Sequence, residues 1–200
     1  MGRLRGLAGT LLFPLLGYRP QCVSADAWDR EYRDGAWDYL AGIENVAGLA
    51  AVLGYCQHLA PAAILDAGCG EGLLAAKLKL LAYARYLGLD ISGEAIARAR
   101  TRLGDDRTRF EVTDLHAFAS MDHFDAVIFN QSLYYLSDPV AVLRRYAAML
   151  APGGHVIISM ADSPRTRVLW LLVDQALATR DMMDTRQGKG RVITKLLTSR

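Results

Sequence analysis

Short apolar runs alternate along this chain with segments whose apolar positions recur every three or four residues, the signature of strands and helices taken in turn. Residues 63–66, 86–90, 108–112, 124–130 and 155–160 read as strands, with helices over 72–81, 92–103 and 139–150 between them. Ala126-Val127-Ile128-Phe129 is apolar on both faces, as a central parallel strand covered by helices on both sides must be. Ser92 is placed to cap one helix and Pro139 to open another, while Pro152-Gly153-Gly154 reads as a turn. Ahead of the first strand, Trp28 and Tyr32 are spaced as one helix face over 25–35, and a second helix over 37–59 stops before Pro61. The end of the chain differs. Residues 165–178 read as a helix with Leu169, Leu172, Val173 and Ala176 on one side, and 181–185 and 191–197 as a hairpin turned at Gln187-Gly188-Lys189-Gly190. The expected architecture is α/β, a doubly wound and mostly parallel seven-stranded sheet closed by a C-terminal antiparallel hairpin.

Size and charge narrow this picture. Two hundred residues suit one domain, expected over 25–200, preceded by an N-terminal arm over 1–24. A formal net charge of +2 implies no broad nucleic-acid surface. Arg98, Arg100 and Arg102 lie on a helix pattern and read as a solvated face. Three cysteines, Cys22, Cys56 and Cys69, lack metal-ligand spacing and read as reduced thiols of a cytoplasmic protein, with no metal implied. Arg3 and Arg5 precede an apolar run over 7–17, but Pro14 and Gly17 interrupt it and it is too short to span a bilayer. A flexible or docking arm is the first reading and weak membrane association the second; stable membrane insertion is not expected.

The chemistry concentrates in Ile64-Leu65-Asp66-Ala67-Gly68-Cys69-Gly70-Glu71-Gly72, a strand running into a glycine-rich turn and a helix start. Glycines there let bare backbone approach a ligand and aim helix N–H groups at it. A dinucleotide fingerprint needs a small residue at the position Leu73 occupies, so a nicotinamide oxidoreductase is disfavoured. The G-x-G-x-G spacing with an acid two residues ahead resembles motif I of the class I S-adenosylmethionine-dependent methyltransferases. The likeness covers residues 36–160, including Met149-Leu150-Ala151-Pro152-Gly153-Gly154-His155 at the start of the fifth strand. It implies a Rossmann-like methyltransferase fold with S-adenosyl-L-methionine as methyl donor, S-adenosyl-L-homocysteine as product, and no metal.

Roles follow along one sheet edge, the carboxyl ends of the strands, where such folds bind ligands. The resemblance places Asp66 near the methionine amino group or as the residue holding the loop, with Ala67, Gly68, Cys69, Gly70 and Gly72 around the cofactor. Glu71 faces solvent or the helix N-terminus. Asp90 ends the second strand, where a carboxylate can accept both ribose hydroxyls, and Ile91 would meet the adenine face. Asp114 can accept from the adenine amino group and the Leu115 backbone can donate to a ring nitrogen; the neighbouring His116 reads as a solvated loop residue. Asn130 and Gln131 can hydrogen-bond cofactor or substrate.

Tyr134, Tyr135 and Gln131 are the catalytic candidates, and Trp37, Tyr39 and Tyr134 the substrate platform. Stretches 18–40, 130–137 and 162–180 are expected to roof the pocket. His155, at the opposite edge, is not expected to act. Asn130-Gln131-Ser132-Leu133 lacks the Asn-Pro-Pro-Tyr of nucleic-acid adenine methyltransferases. Trp37-Asp38-Tyr39-Leu40 and Leu133-Tyr134-Tyr135-Leu136 look like small-molecule members, including nodulation-factor N-methyltransferases, although those carry an acid near the position of Gln131. The expected reaction is in-line transfer to an oxygen or nitrogen of a sugar, amine or secondary metabolite, by a monomer or homodimer. A binding protein that keeps the cofactor loop without catalysis is the remaining alternative.

Overall fold

The computed structural model describes residues 23–187 and 190–200, so the arm over 1–22, Cys22 and the hairpin tip at Gly188-Lys189 lie outside the described residues. Seven strands form one sheet in the order β3-β2-β1-β4-β5-β7-β6. They are β1 (Ala63–Ala67), β2 (Arg85–Asp90), β3 (Thr108–Val112), β4 (Phe124–Asn130), β5 (Leu150–Ala161), β6 (Ala178–Gln187) and β7 (Gly190–Thr198). The first five are parallel; β7 runs antiparallel between β5 and β6. The order reverses between β1 and β4, which opens a crevice above their carboxyl ends.

Six helices accompany the sheet among the described residues: α1 (Ala25–Arg33), α2 (Val46–Leu59), α3 (Leu73–Leu78), α4 (Gly93–Leu103), α5 (Pro139–Ala147) and α6 (Pro164–Ala176). Val52 and Tyr55 of α2, Leu74 and Leu78 of α3 and Ile96 of α4 pack on one sheet face around Ile64, Tyr86 and Ile128. Val142 and Leu143 of α5 with Leu169 and Val173 of α6 fill the other, around Leu65, Val127, Phe129 and Ile158. This two-sided cover accounts for the unbroken apolar run of β4. Helix starts follow side-chain chemistry. Ser24, Ser92 and Asp138 accept from the third residue onward, and Ser163 and Thr166 form a reciprocal capping box ahead of α6.

Several boundaries differ from the sequence pattern. The helix expected over 37–59 is broken: Asp38–Ala41 and Ile43–Asn45 are separate 3-10 turns, and only Val46–Leu59 is α-helical. Gly42 between them is extended (φ −71°, ψ 160°), and Asn45 Nδ2 donates to the Tyr39 carbonyl at 2.7 Å, fixing the bend. The turn expected at Pro152-Gly153-Gly154 lies inside β5, where the pairing with β4 slips between Phe124 and Ala126. Residues of such a bulge continue the strand while locally leaving the ladder. The strands expected over 181–185 and 191–197 are longer, because their pairing runs from Ala178↔Thr198 to Gln187↔Gly190.

Candidate functional site

A cavity of about 810 Å³ lies above the carboxyl ends of β1, β2, β3 and β4. Its floor is the turn between β1 and α3. Gly68, Gly70 and Gly72 all take positive φ, and Gly68 and Cys69 N–H both donate to the Leu89 carbonyl. At Gly70 the requirement is twofold: φ is +53°, and an added β-carbon would stand 2.6 Å from the Tyr32 hydroxyl. The opposite side of the turn is tied by Ser132, whose Oγ donates to the Ala67 carbonyl at 2.5 Å.

Two buried carboxyls frame this floor. Asp90 Oδ2 accepts the Gly70 N–H at 2.9 Å and its Oδ1 accepts the Ser92 N–H at 2.9 Å. Burial pushes its pKa up, and those backbone donors oppose the shift. Each oxygen has a second lone pair, so the carboxylate that clamps the turn can still receive a diol. Asp66 accepts the Tyr86 hydroxyl on Oδ2 at 2.6 Å, while its buried Oδ1 finds no partner among the described residues. Burial raises its pKa to about 7, with the Tyr86 hydrogen bond opposing and the Asp90 charge reinforcing the shift. A buried carboxyl on a cavity wall with one oxygen unpaired suits a cationic ligand group.

The far end is built differently. Asp114 Oδ1 accepts the His116 N–H at 2.8 Å and faces His116 Nδ1 at 3.0 Å, and His116 Nε2 meets Ser137 Oγ at 2.9 Å. His116 is therefore no free loop residue: the chain Asp114–His116–Ser137 ties the segment after β3 to the one after β4.

Helix α1 closes the roof. Trp28 lies 5.3 Å from Trp37 and 5.0 Å edge-on to Tyr135, and Tyr32 and Tyr39 lie 6.4 and 6.1 Å from Trp37. Tyr134 and Tyr135 are 4.6 Å apart. Burial raises the pKa of Tyr32, Tyr134 and Tyr135, so these hydroxyls stay protonated.

Of the residues singled out by sequence, Asp66, Gly68, Cys69, Gly70, Asp90, Ile91, Asp114, Leu115, Asn130, Gln131, Trp37, Tyr39, Tyr134 and Tyr135 all line this one cavity. Two do not. Ala67 is wholly buried in β1, and Gly72 faces Leu103 and Phe110, a packing position at the start of α3. Gln131 lines the wall, but its amide is engaged: Nε2 donates to Ser159 Oγ, and Oε1 accepts from Tyr134 and the Ala161 N–H. It holds Tyr134 and is not aimed at a reactant. The stretch 162–180 contributes no lining residue, because α6 spends its apolar side on the core. Glu71 pairs with Arg98 at 2.6 Å and Arg102 at 3.6 Å, and Arg100 donates to the Phe110 carbonyl, so the arginine row is partly engaged rather than simply solvated. Trp28, Tyr32, Ser132 and Tyr86 are additions. Trp28 and Tyr32 fall in the expected roof stretch, yet their spacing alone reads equally as a packing face.

A family model described as a methyltransferase domain matches residues 65–158. The chain is 33% identical over 114 residues to a ubiquinone biosynthesis O-methyltransferase of Aliivibrio fischeri, covering 55% of this chain and 48% of that protein. The chain thus spans about half the length of the curated relatives it matches. Among solved structures it is similar to the N-methyltransferase NodS of Bradyrhizobium japonicum in complex with S-adenosyl-L-homocysteine, with a TM-score of 0.71, 20% identity, and coverage of 87% of this chain and 97% of that one. It is also similar to 1,6-didemethyltoxoflavin-N1-methyltransferase of Burkholderia thailandensis, with a TM-score of 0.70, 20% identity and coverage of 88% and 87%. At these identities the structural likeness is one of fold.

Proposed function

We propose that this chain, which carries the class I S-adenosylmethionine-dependent methyltransferase fold and a methyltransferase domain over residues 65–158, transfers the methyl group of S-adenosyl-L-methionine to an oxygen or nitrogen of a small molecule. The observation that carries this reading is the paired construction of the floor. A glycine turn with no room for side chains is clamped by Asp90, and the unpaired Oδ1 of Asp66 lies on the same cavity wall. Asp90 would accept the ribose hydroxyls, Asp66 would take the amino group of the methionine part, and Asp114 with the Leu115 N–H would meet the adenine. Gly68 and Gly70 would leave backbone against the ligand.

The bound donor supplies a methyl group already activated by the positive charge on sulfur, so the protein has mainly to align the acceptor and exclude water. Trp28, Tyr32 and Trp37 roof the cavity and shed water from it, and the electron-rich ring faces favour a cationic donor. Tyr134 and Tyr135 orient the acceptor through their hydroxyls. The reading extends to a cytoplasmic setting, consistent with Cys56 and Cys69 being free thiols. No described helix is long and apolar enough to cross a membrane.

Titration calorimetry with S-adenosyl-L-homocysteine, followed by methyl transfer from labelled donor to a panel of sugars, amines and phenols, tests the proposal. Binding followed by transfer supports it. Absence of binding refutes it, and binding with no transfer to any acceptor favours the non-catalytic alternative.

A further inference from the structure

Asp66 is buried to 1% exposure near the end of β1, yet it lines the cavity. The Tyr86 hydroxyl donates to its Oδ2 at 2.6 Å, and its Oδ1 has no partner among the described residues. A buried carboxyl oxygen is costly to leave unpaired, so one that stands on a cavity wall calls for a ligand group.

The surroundings narrow what that group can be. Gly88 and Ile128, opposite Asp66 on β2 and β4, carry no charge. Cys56 of α2 and Cys69 of the glycine turn feel its field, and burial keeps both thiols protonated, as it keeps the Tyr86 hydroxyl. The charged group that acts on Asp66 is Asp90, itself negative; no cation of the described residues does. An ionised Asp66 is therefore a buried anion beside another, with no protein cation to balance it. Two states relieve this, a proton on the carboxyl or a cation on Oδ1. Desolvation and the Asp90 charge select the proton while the cavity is free, raising the pKa to about 7. A ligand cation selects the other state. With Oδ2 taken by Tyr86, one oxygen is left, which suits a compact ammonium head better than a planar fork that needs two.

Building on the methyltransferase reading, which gives Asp66 the amino group of the methionine part, we infer that Asp66 exchanges its proton for that ammonium: it is a neutral acid in the free protein and a carboxylate in the complex, and it selects nucleosides that carry the ammonium over the same nucleoside without it. The carboxyl O–H bond breaks, the proton leaves through the cavity to water, and an ammonium N–H donates to the oxygen left behind. One positive charge enters the wall as another departs, so the exchange buries no net charge.

Selection then depends on pH. Below about pH 7 the ammonium has a proton to displace, and each further unit of acid lowers its affinity about tenfold. Above that pH the carboxylate is already free. A nucleoside without the ammonium leaves the proton in place and is spared this dependence.

The test is calorimetry on the full chain at about pH 6, 7 and 8, each in two buffers of different ionisation enthalpy. The ligands are S-adenosyl-L-homocysteine and 5′-methylthioadenosine, which has the ribose and the base but no amino acid. Protons moved by Asp90 or His116, at the ribose and base ends, appear with both ligands and cancel in the difference. That difference should be release of about 0.9 proton at pH 6 and about 0.1 at pH 8. The ratio of the two affinities should rise about tenfold over the same range in favour of S-adenosyl-L-homocysteine. Asp66→Asn keeps an acceptor for Tyr86 but has no proton to exchange. It should lose the difference in proton release and bind S-adenosyl-L-homocysteine about tenfold more weakly at pH 8, its binding of 5′-methylthioadenosine serving as the check on folding. Equal proton release with both ligands overturns the inference. So does an affinity ratio that stays flat with pH, or a proton difference that persists in Asp66→Asn. If neither ligand binds, the methyltransferase reading on which the inference stands falls instead.

Discussion

Asp29 reaches from the roof to the cavity floor: its Oδ1 accepts the Ser92 hydroxyl at 2.6 Å and the Glu94 N–H at 3.0 Å, pinning α1 to the first turn of α4. Ser92 is the residue whose N–H steadies Asp90, so the latch of the roof and the clamp of the glycine turn meet at one residue, through its hydroxyl and its backbone N–H. The Ser92 hydrogen bond and the Glu94 N–H also lower the pKa of Asp29. Protonating that carboxyl in acid therefore weakens the latch.

From this connection Asp29→Ala should loosen the roof without touching the ligand's own contacts. The expected effect is faster release of S-adenosyl-L-homocysteine, by about tenfold for loss of charge-assisted hydrogen bonds at a partly exposed site, with a nearly unchanged association rate. Trp28 is next to Asp29, so stopped-flow tryptophan fluorescence reads both rates. Equal slowing of association and release would contradict the latch.

Gly70 and Tyr32 make a second prediction. Gly70→Ala meets two costs: an L side chain at φ +53°, about 1–2 kcal/mol, and a clash with the Tyr32 hydroxyl. Cofactor affinity should fall by more than tenfold. Adding Tyr32→Phe removes the oxygen 2.6 Å away but leaves the backbone cost, so it should restore part of the affinity and not all of it. Additive losses in the double variant, seen by calorimetry, would show that the hydroxyl is not the obstacle.

Asp90→Ala removes the ribose acceptor proposed above and the clamp on Gly70 N–H together. Affinity for S-adenosyl-L-homocysteine should drop at least tenfold, with Asp90→Asn intermediate because an amide oxygen can still accept one of these bonds. Unchanged affinity in either variant, measured by calorimetry on protein with a native circular dichroism spectrum, would move the ribose elsewhere.

What the sequence made legible follows from how local each signal is. The strands and the glycine turn declare themselves because apolar runs and Gly68, Gly70 and Gly72 carry their meaning within a few residues. The break at Gly42 was hidden, since an alanine- and leucine-rich stretch has helical periodicity on either side of one extended glycine. The early start of β5 was hidden for the opposite reason: Pro152-Gly153-Gly154 has turn chemistry, and it lies in a bulge between the pairs Phe124↔Leu150 and Ala126↔His155, so the strand begins ahead of it. Side-chain ties across long separations left no mark at all. Asp29 and Ser92 are 63 residues apart, Asp66 and Tyr86 are 20, and no spacing rule joins them. Trp28 and Tyr32 were visible as a stripe, but a stripe that packs on a core and one that roofs a ligand look alike.

Asp66 gives the chain a definite pH dependence. An unfolded carboxyl ionises near 4, whereas burial holds the folded one at about 7. Between those values the unfolded state has released a proton that the folded state keeps. Stability therefore falls as pH rises through this window and levels off above it. One proton sets a limiting slope of about 1.4 kcal/mol per pH unit. Asp66→Asn retains an acceptor for the Tyr86 hydroxyl and cannot ionise, so its denaturant-unfolding free energy should lack this fall. A parent and variant with parallel pH profiles from about pH 4 to 7 would place the ionisation on another group.

Gln131 occupies a conformation that a side chain rarely adopts, φ 58°, directly after β4. Strain of this kind persists only where surrounding contacts over-determine it. Here they do: the amide is held by Ser159 Oγ and the Ala161 N–H, Ser159 in turn accepts from the buried Thr194 hydroxyl, and the free end of the network holds Tyr134. Gln131→Gly relaxes the backbone and deletes the network; Gln131→Ala deletes the network and keeps the strain. If Gln131 serves to aim Tyr134, both should lower kcat/KM for the acceptor by about tenfold while cofactor affinity stays within about twofold. The glycine variant should be the more stable by about 1 kcal/mol, the relief of the left-handed conformation offset in part by the extra freedom of its unfolded chain. Thermal unfolding and steady-state kinetics on the pair separate the two effects. A parallel loss of cofactor affinity in both variants would assign Gln131 to the cofactor instead.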